Sequence, residues 1–382
     1  MPPDVAFCLY GERNGDIEAL LSLQALERLV EPLLLDETQG MQSLSLLEEE
    51  MGIEPGAPIS EAFEAAVRNG LLAGEPSAYL AGSRLVLIPP AAFDGLLELW
   101  APHLASYAES TARAGQRLES LVARTTAGRI FSWPQLRHMV VAGLLLDLAV
   151  GSLLGERKTV TTEVAGDFVV WAFAGLRAAN SFGIQQWSGA ERRAMLAQVW
   201  HRRVPARSLR LSKQMIDRLT ILASGGEAIE AGRTDGALEQ RRVDLYLRHQ
   251  AMLGRGEAGP QLRVPAFTAD DVAGLAPVLR KAAEELLQVG VDPALASLED
   301  HPWWRDRVDD DSLRHAAIRL WLEFGIDHVL ESGALAAFPS DADRVTWGRC
   351  LWVEPEDQSF SLIPGWSAGA GKPIAVREGI PA

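Results

Sequence analysis

Two aspartates and one run of arginines are the residues whose type and setting could do chemistry. Asp147 lies in MVVAGLLLDLAVGSLLG (139–155) and Asp167 in EVAGDFVVWAFAGLRAANSFGIQQW (163–187), two stretches with few other polar residues. A buried, unpaired carboxylate is costly or keeps its proton, so each needs a cation. Arg177 or an arginine from 188–222 is the natural partner. At about 100° per residue, His138 falls on the opposite side of a helix from Asp147, which excludes it. A structural ion pair meets the need. So does a cavity in which Asp147 or Asp167 acts as acid or base.

The arginines concentrate in WHRRVPARSLRLSKQMIDR, residues 200–218. Arg202, Arg203, Arg207, Arg210 and Lys213 crowd around a break at Pro205, and Ser212 opens a helix. Guanidinium forks suit phosphate or carboxylate, and a helix start beside them adds N–H donors. Trp200 is the only aromatic ring in the run, so stacking on single strands is unsupported.

Other chemistries fail on spacing. The seven histidines form no HExxH and the two cysteines no CxxC, so no metal site is expected. Glu323 and Asp327 share a helix face but His328 turns away. The acidic run Asp306–Ser312 could pass for a magnesium box, but it lacks a partner motif and suits the positive end of a helix. The tail GWSAGAGKP (365–373) spaces its glycines wrongly for a phosphate loop and puts Pro373 where a hydroxyl should be. VGSLLG (150–155) lies within an apolar helix, away from any strand-to-helix turn. No catalytic residue and no cofactor is assigned.

Helices must position these groups. Asp16–Leu35 carries an apolar stripe at spacings of three and four. A short helix over 40–51 follows, and Ser60 opens a third that closes at Gly70. SAYLAG and SRLVLIPP then read as a hairpin joined at Gly82-Ser83. Three helices and a hairpin are the order of a winged helix. The third helix offers Glu61, Glu64, Arg68 and Asn69, and two glutamates facing phosphates would be repulsive, so such an element contacts protein before DNA. Residues 91–126 read as helix broken near Pro102, while 139–155, 163–187, 188–204 and 212–224 read as further helices. GRGEAGPQLRVPAF (254–267) reads as a linker, Ser312–Gly333 as a helix, and VTWGRCLWV with SFSLI as a C-terminal hairpin. Tryptophans gather in the last eighty residues, as core or as interface anchors.

The 382 residues hold 48% hydrophobic and 23% charged residues, which excludes a disordered or collagen-like chain and a disulfide scaffold. Net charge is −15, which disfavours nucleic acid and anionic membranes. Residues 1–100 carry 17 acids against 4 bases, whereas 188–222 carry 8 bases against 2 acids. The start lacks the pattern of a secretory leader, and Asp147 interrupts the longest apolar run, so a cytoplasmic protein without a membrane span is expected. Only four of 36 basic residues are lysine, the bias of a GC-rich bacterial genome.

The fold expected is mainly α. It has an acidic, winged-helix-like (α+β) domain over 1–90, a multi-helix globular core over 91–255, and a Trp-rich region over 256–382 ending in a β-hairpin. The function expected is a non-enzymatic regulatory or assembly protein acting through protein surfaces, with 200–218 contacting an anionic protein or nucleic acid. The alternative is an enzyme with an apolar cavity between the two central helices, using Asp147 or Asp167.

Overall fold

The computed structural model describes residues 5–11, 20, 24–35, 41–51, 58–156, 168–174, 182–189, 193–201, 211–225, 235–256, 259–306, 311–336, 348–357 and 360–363. The strands are β1 (Val5–Gly11), β2 (Leu72–Glu75), β3 (Ala78–Ala81), β4 (Leu85–Ile88), β5 (Phe168–Ala174), β6 (Phe182–Ser188), β7 (Ala194–His201), β8 (Leu253–Gly256), β9 (Gly259–Leu262), β10 (Ala266–Phe267) and β11 (Arg349–Val353). The longer helices are α1 (Gln24–Leu35), α2 (Leu44–Met51), α3 (Pro58–Arg68), α4 (Pro90–Val122), α5 (Lys213–Ala223), α6 (Asp235–His249), α7 (Ala269–Leu286) and α8 (Asp311–Glu331). A π-helix spans His138–Ala149. The fold is mainly α, with a few small sheets.

Two compact units form from segments interleaved along the chain. The first combines 1–104, 158–181 and 291–324. Its sheet has the order β1-β5-β4, antiparallel then parallel, so the chain start and 168–174 must fold together. The stripe of α1 (Leu26, Leu29, Val30, Leu33) packs with Phe63, Ala66, Tyr79 and Val170. Gly70 closes the turn after α3 at φ +73°, the left-handed conformation that glycine adopts without strain. Trp100 donates to the Ala294 carbonyl (3.0 Å) and Trp304 to that of Ala92 (2.9 Å). These buried rings, with Trp321 edge-on to Trp100, are core and not interface.

The second unit combines 105–157, 182–290 and 325–382. Its sheet has the order β10-β11-β7-β6. Every residue of the π-helix is buried. It packs on β6 and β7 on one side and on α7 on another. At Gly143 a side chain would come within 2.9 Å of Val199 Cγ1 and 3.0 Å of Met139 Sδ, so hydrogen is the largest group that fits. A second cluster joins Ile216, Leu219, Leu247, Val264 and Leu351. Trp133–Leu154 has the length and apolarity of a membrane-crossing helix, yet 83% of its most apolar window is buried inside the protein.

Several expectations need correction. Residues 168–174 and 182–188 are strands, so 163–187 is not a second central helix. Its aromatic and β-branched residues pack well on a pleated surface, and an unbroken apolar run carries no periodicity to separate helix from strand. Likewise 194–201 is strand, and the presumed linker holds the β8–β9 hairpin and β10. There Gly256 and Gly259 are paired across the two strands. Helix α4 runs through Pro102 without a break. The N-terminal hairpin is β2–β3, turning at 75–78, and β4 pairs with β5 in another sheet. At the C-terminus β11 pairs with β7 and β10, and Ser361–Ile363 is not strand, so the expected hairpin partner is not formed by those residues.

Candidate functional site

Asp147 is 3% exposed on the π-helix. Such helices bond i→i+5, so each turn takes in nearly one residue more than an α-turn. Nine positions then make about two turns, and the α-helical argument that separates His138 from Asp147 no longer applies. His138 is fully buried, and its Nε2 lies 2.7 Å from the Ala336 carbonyl. A carbonyl only accepts, so Nε2 carries the proton. Tyr107, buried on α4, has its hydroxyl pKa raised first by burial and then by the negative charge of Asp147. Its ring lies against Gly325, where a side chain would begin 3.0 Å from Cε1. The two other members of the expected polar cluster, Asp167 and Arg177, lie outside the described residues.

Arg202, Arg203, Arg207 and Arg210 also lie outside the described residues. Lys213 is exposed on the first turn of α5, where Ser212 accepts from the Met215 N–H (3.4 Å). Arg218, from the same basic run, is not available to a ligand. It is 6% exposed and grips Asp244 through Nε–Oδ1 (2.9 Å) and Nη2–Oδ2 (3.2 Å).

After α1, Gln42 forms an antiparallel bridge to Tyr79 of β3, then come α2, α3 and the β2–β3 hairpin. On α3 the buried residues are Ile59, Ala62, Phe63 and Ala66. The exposed ones are Glu61, Glu64 and Arg68, with Arg68 Nη1 4.0 Å from Glu64 Oε2. The cation of that face is thus opposed by a carboxylate one turn away.

Sequence reasoning missed a third cluster. Glu354, just after β11, has a fully buried side chain. Its carboxylate accepts from the Leu362 N–H (2.7 Å), Ser361 Oγ (2.6 Å), Trp352 Nε1 (3.2 Å) and Arg193 Nη2 (3.5 Å). Four donors satisfy both oxygens, which makes it a structural anchor. Arg349, 4% exposed on β11, donates to Gln198 Oε1 (2.7 Å) and the Gln250 carbonyl (2.9 Å). The available signal was an arginine and a glutamate bracketing the apolar run CLWV. A groove of about 420 Å³ is lined by Arg113, Gln116, Arg117, Ser120 and Glu285, and not by Asp147 or Tyr107. Among the described residues no group of three or more His, Cys, Asp and Glu is placed to hold a metal.

No protein-family model matches the chain, and no curated protein and no solved structure matches it.

Proposed function

We propose that this chain is a cytoplasmic regulatory or assembly protein that acts through protein surfaces. A winged-helix-like element in its N-terminal region offers the acidic side of α3 to a protein. The arginine-rich segment around Arg202, Arg203, Arg207, Arg210 and Lys213 takes an anionic partner. The observation that carries the reading is the exposed face of α3, where Glu61 and Glu64 stand in place of phosphate-seeking residues. Pulldown of the full chain, with mass spectrometry of bound proteins and small molecules, tests it. The expected result is a protein recovered with the wild type and lost with Glu61→Lys/Glu64→Lys. Duplex DNA bound with a steep salt dependence, or a small molecule retained in place of a protein, would overturn it.

An enzymatic reading has one observation on its side: a carboxylate, Asp147, is buried on a π-helix, a winding often found at functional sites. Its form as a cavity between two central helices falls with the strands at 168–174 and 182–188. A small molecule whose retention is abolished by Asp147→Asn would restore it.

A further inference from the structure

Among the described residues, the hairpin region has an exposed apolar face. Gln42 N–H donates to the Tyr79 carbonyl and Tyr79 N–H to that of Gln42, each at 2.8 Å, so an antiparallel bridge is closed there. That register sets Met41 opposite Leu80, and Leu80 is opposite Ala73 on β2. Residues directly opposite each other share a face, and successive residues alternate. Tyr79 therefore points inward, where its hydroxyl donates to the Leu29 carbonyl (3.1 Å) and its ring meets Phe63 edge-on. Met41, Leu80, Ala73 and Ala78 point the other way. Met41 is 69% and Leu80 41% exposed, an adjacent pair and not a scattering of single apolar residues. Exposed Glu75, opposite Ala78, borders the row.

We infer that this outer face docks a protein segment that presents apolar side chains flanked by lysine or arginine. Charge decides the occupant. Exposed Glu75 stands at the edge of the face, which belongs to a stretch with 17 acids and 4 bases, while on α3 exposed Glu61 and Glu64 outnumber Arg68. Nucleic acid and anionic membrane are repelled by that field. A second copy docking the same face would set like charges together. A cationic apolar segment satisfies both the face and its border. The inference rests on the reading of this protein as one that works through protein surfaces.

The probe is a fluorescent peptide of alternating leucine and lysine, titrated by anisotropy against the full chain, with a leucine–glutamate peptide as control. The expected result is one leucine–lysine peptide bound per chain and no binding of the control. Met41→Ser/Leu80→Ser should weaken binding at least about tenfold, since it removes two apolar contacts. Glu75→Lys should weaken it a few-fold. Both altered residues are exposed, so the melting curve should stay put. A methyl-labelled methionine spectrum gives a second readout, with the Met41 resonance shifting on peptide addition. No peptide binding, undiminished binding by Met41→Ser/Leu80→Ser, or a silent Met41 resonance would overturn the inference. Binding lost with Glu61→Lys/Glu64→Lys but kept with Met41→Ser/Leu80→Ser would overturn this face alone and leave the protein-surface reading standing. A pulldown without a protein partner would remove that reading instead.

Discussion

The stretches 139–155 and 163–187 both read as largely apolar helices, yet residues 138–149 form a π-helix and 168–174 and 182–188 are strands in two different sheets. Their composition differs in kind. The helix is built on Leu, Val and Ala, with Gly143 facing Val199 of β7 and Ile184 of β6. The strands are FVVWAFA and FGIQQWS, which carry five Phe and Trp rings where the helix has none. Total hydrophobicity set the depth of burial in both, and side-chain shape set the backbone. The helix also confines its polarity to its ends, at His138 and Asp147, whereas β6 carries two adjacent glutamines.

The comparison can be broken most severely at Val170, fully buried in the central strand between Leu9 of β1 and Leu85 of β4. Val170→Asp should cost more than about 4 kcal/mol, enough to unfold the chain in a urea titration followed by circular dichroism. A folded variant would remove the strand from the core. In the π-helix, Leu145→Ala should cost about 2–5 kcal/mol by the same measurement, because Leu145 is fully buried. Gly143→Ala sharpens the contrast through its sign. Alanine stabilises an exposed helix position by about 1 kcal/mol. Here a Cβ would lie 2.9 Å from Val199 Cγ1, so a loss of about 1–3 kcal/mol is expected. A gain would mean that the helix does not press on β7.

The smallest effect lies at the surface of the same unit. Arg117 pairs with Glu285 through contacts of 2.6 and 3.2 Å, both side chains being part-exposed. The Arg117 guanidinium holds the Glu285 carboxyl below its ordinary value. A depressed pKa adds stability above the unfolded value and loses it as pH falls through the folded one. Arg117→Ala should therefore cost less than about 1 kcal/mol at neutral pH. The difference from wild type should vanish in melts taken well below pH 4. A difference that persists in acid would assign the effect to packing.

Local signals were legible where they were strong. Ser212, read as a helix start, caps α5 through the Met215 N–H. Gly70 and Gly333 take the left-handed conformation after α3 and α8. The acidic side of α3 followed from 3.6-residue spacing alone. The Glu354 cluster was not legible, because its donors come from residues 193, 352, 361 and 362. Nothing in linear spacing brings them together.

By itself the sequence determined that apolar stripes such as that of α1 leave water, that Ser212 caps α5 and Gly70 closes α3, and that 1–100 is acidic. These depend on side-chain polarity and on neighbours within one turn. Tertiary structure alone decided that the chain start pairs with 168–174, that 194–201 is strand beneath the π-helix, and that Arg218 is spent on Asp244. Each of those needs a partner distant in sequence, and the free energy of pairing belongs to neither segment alone.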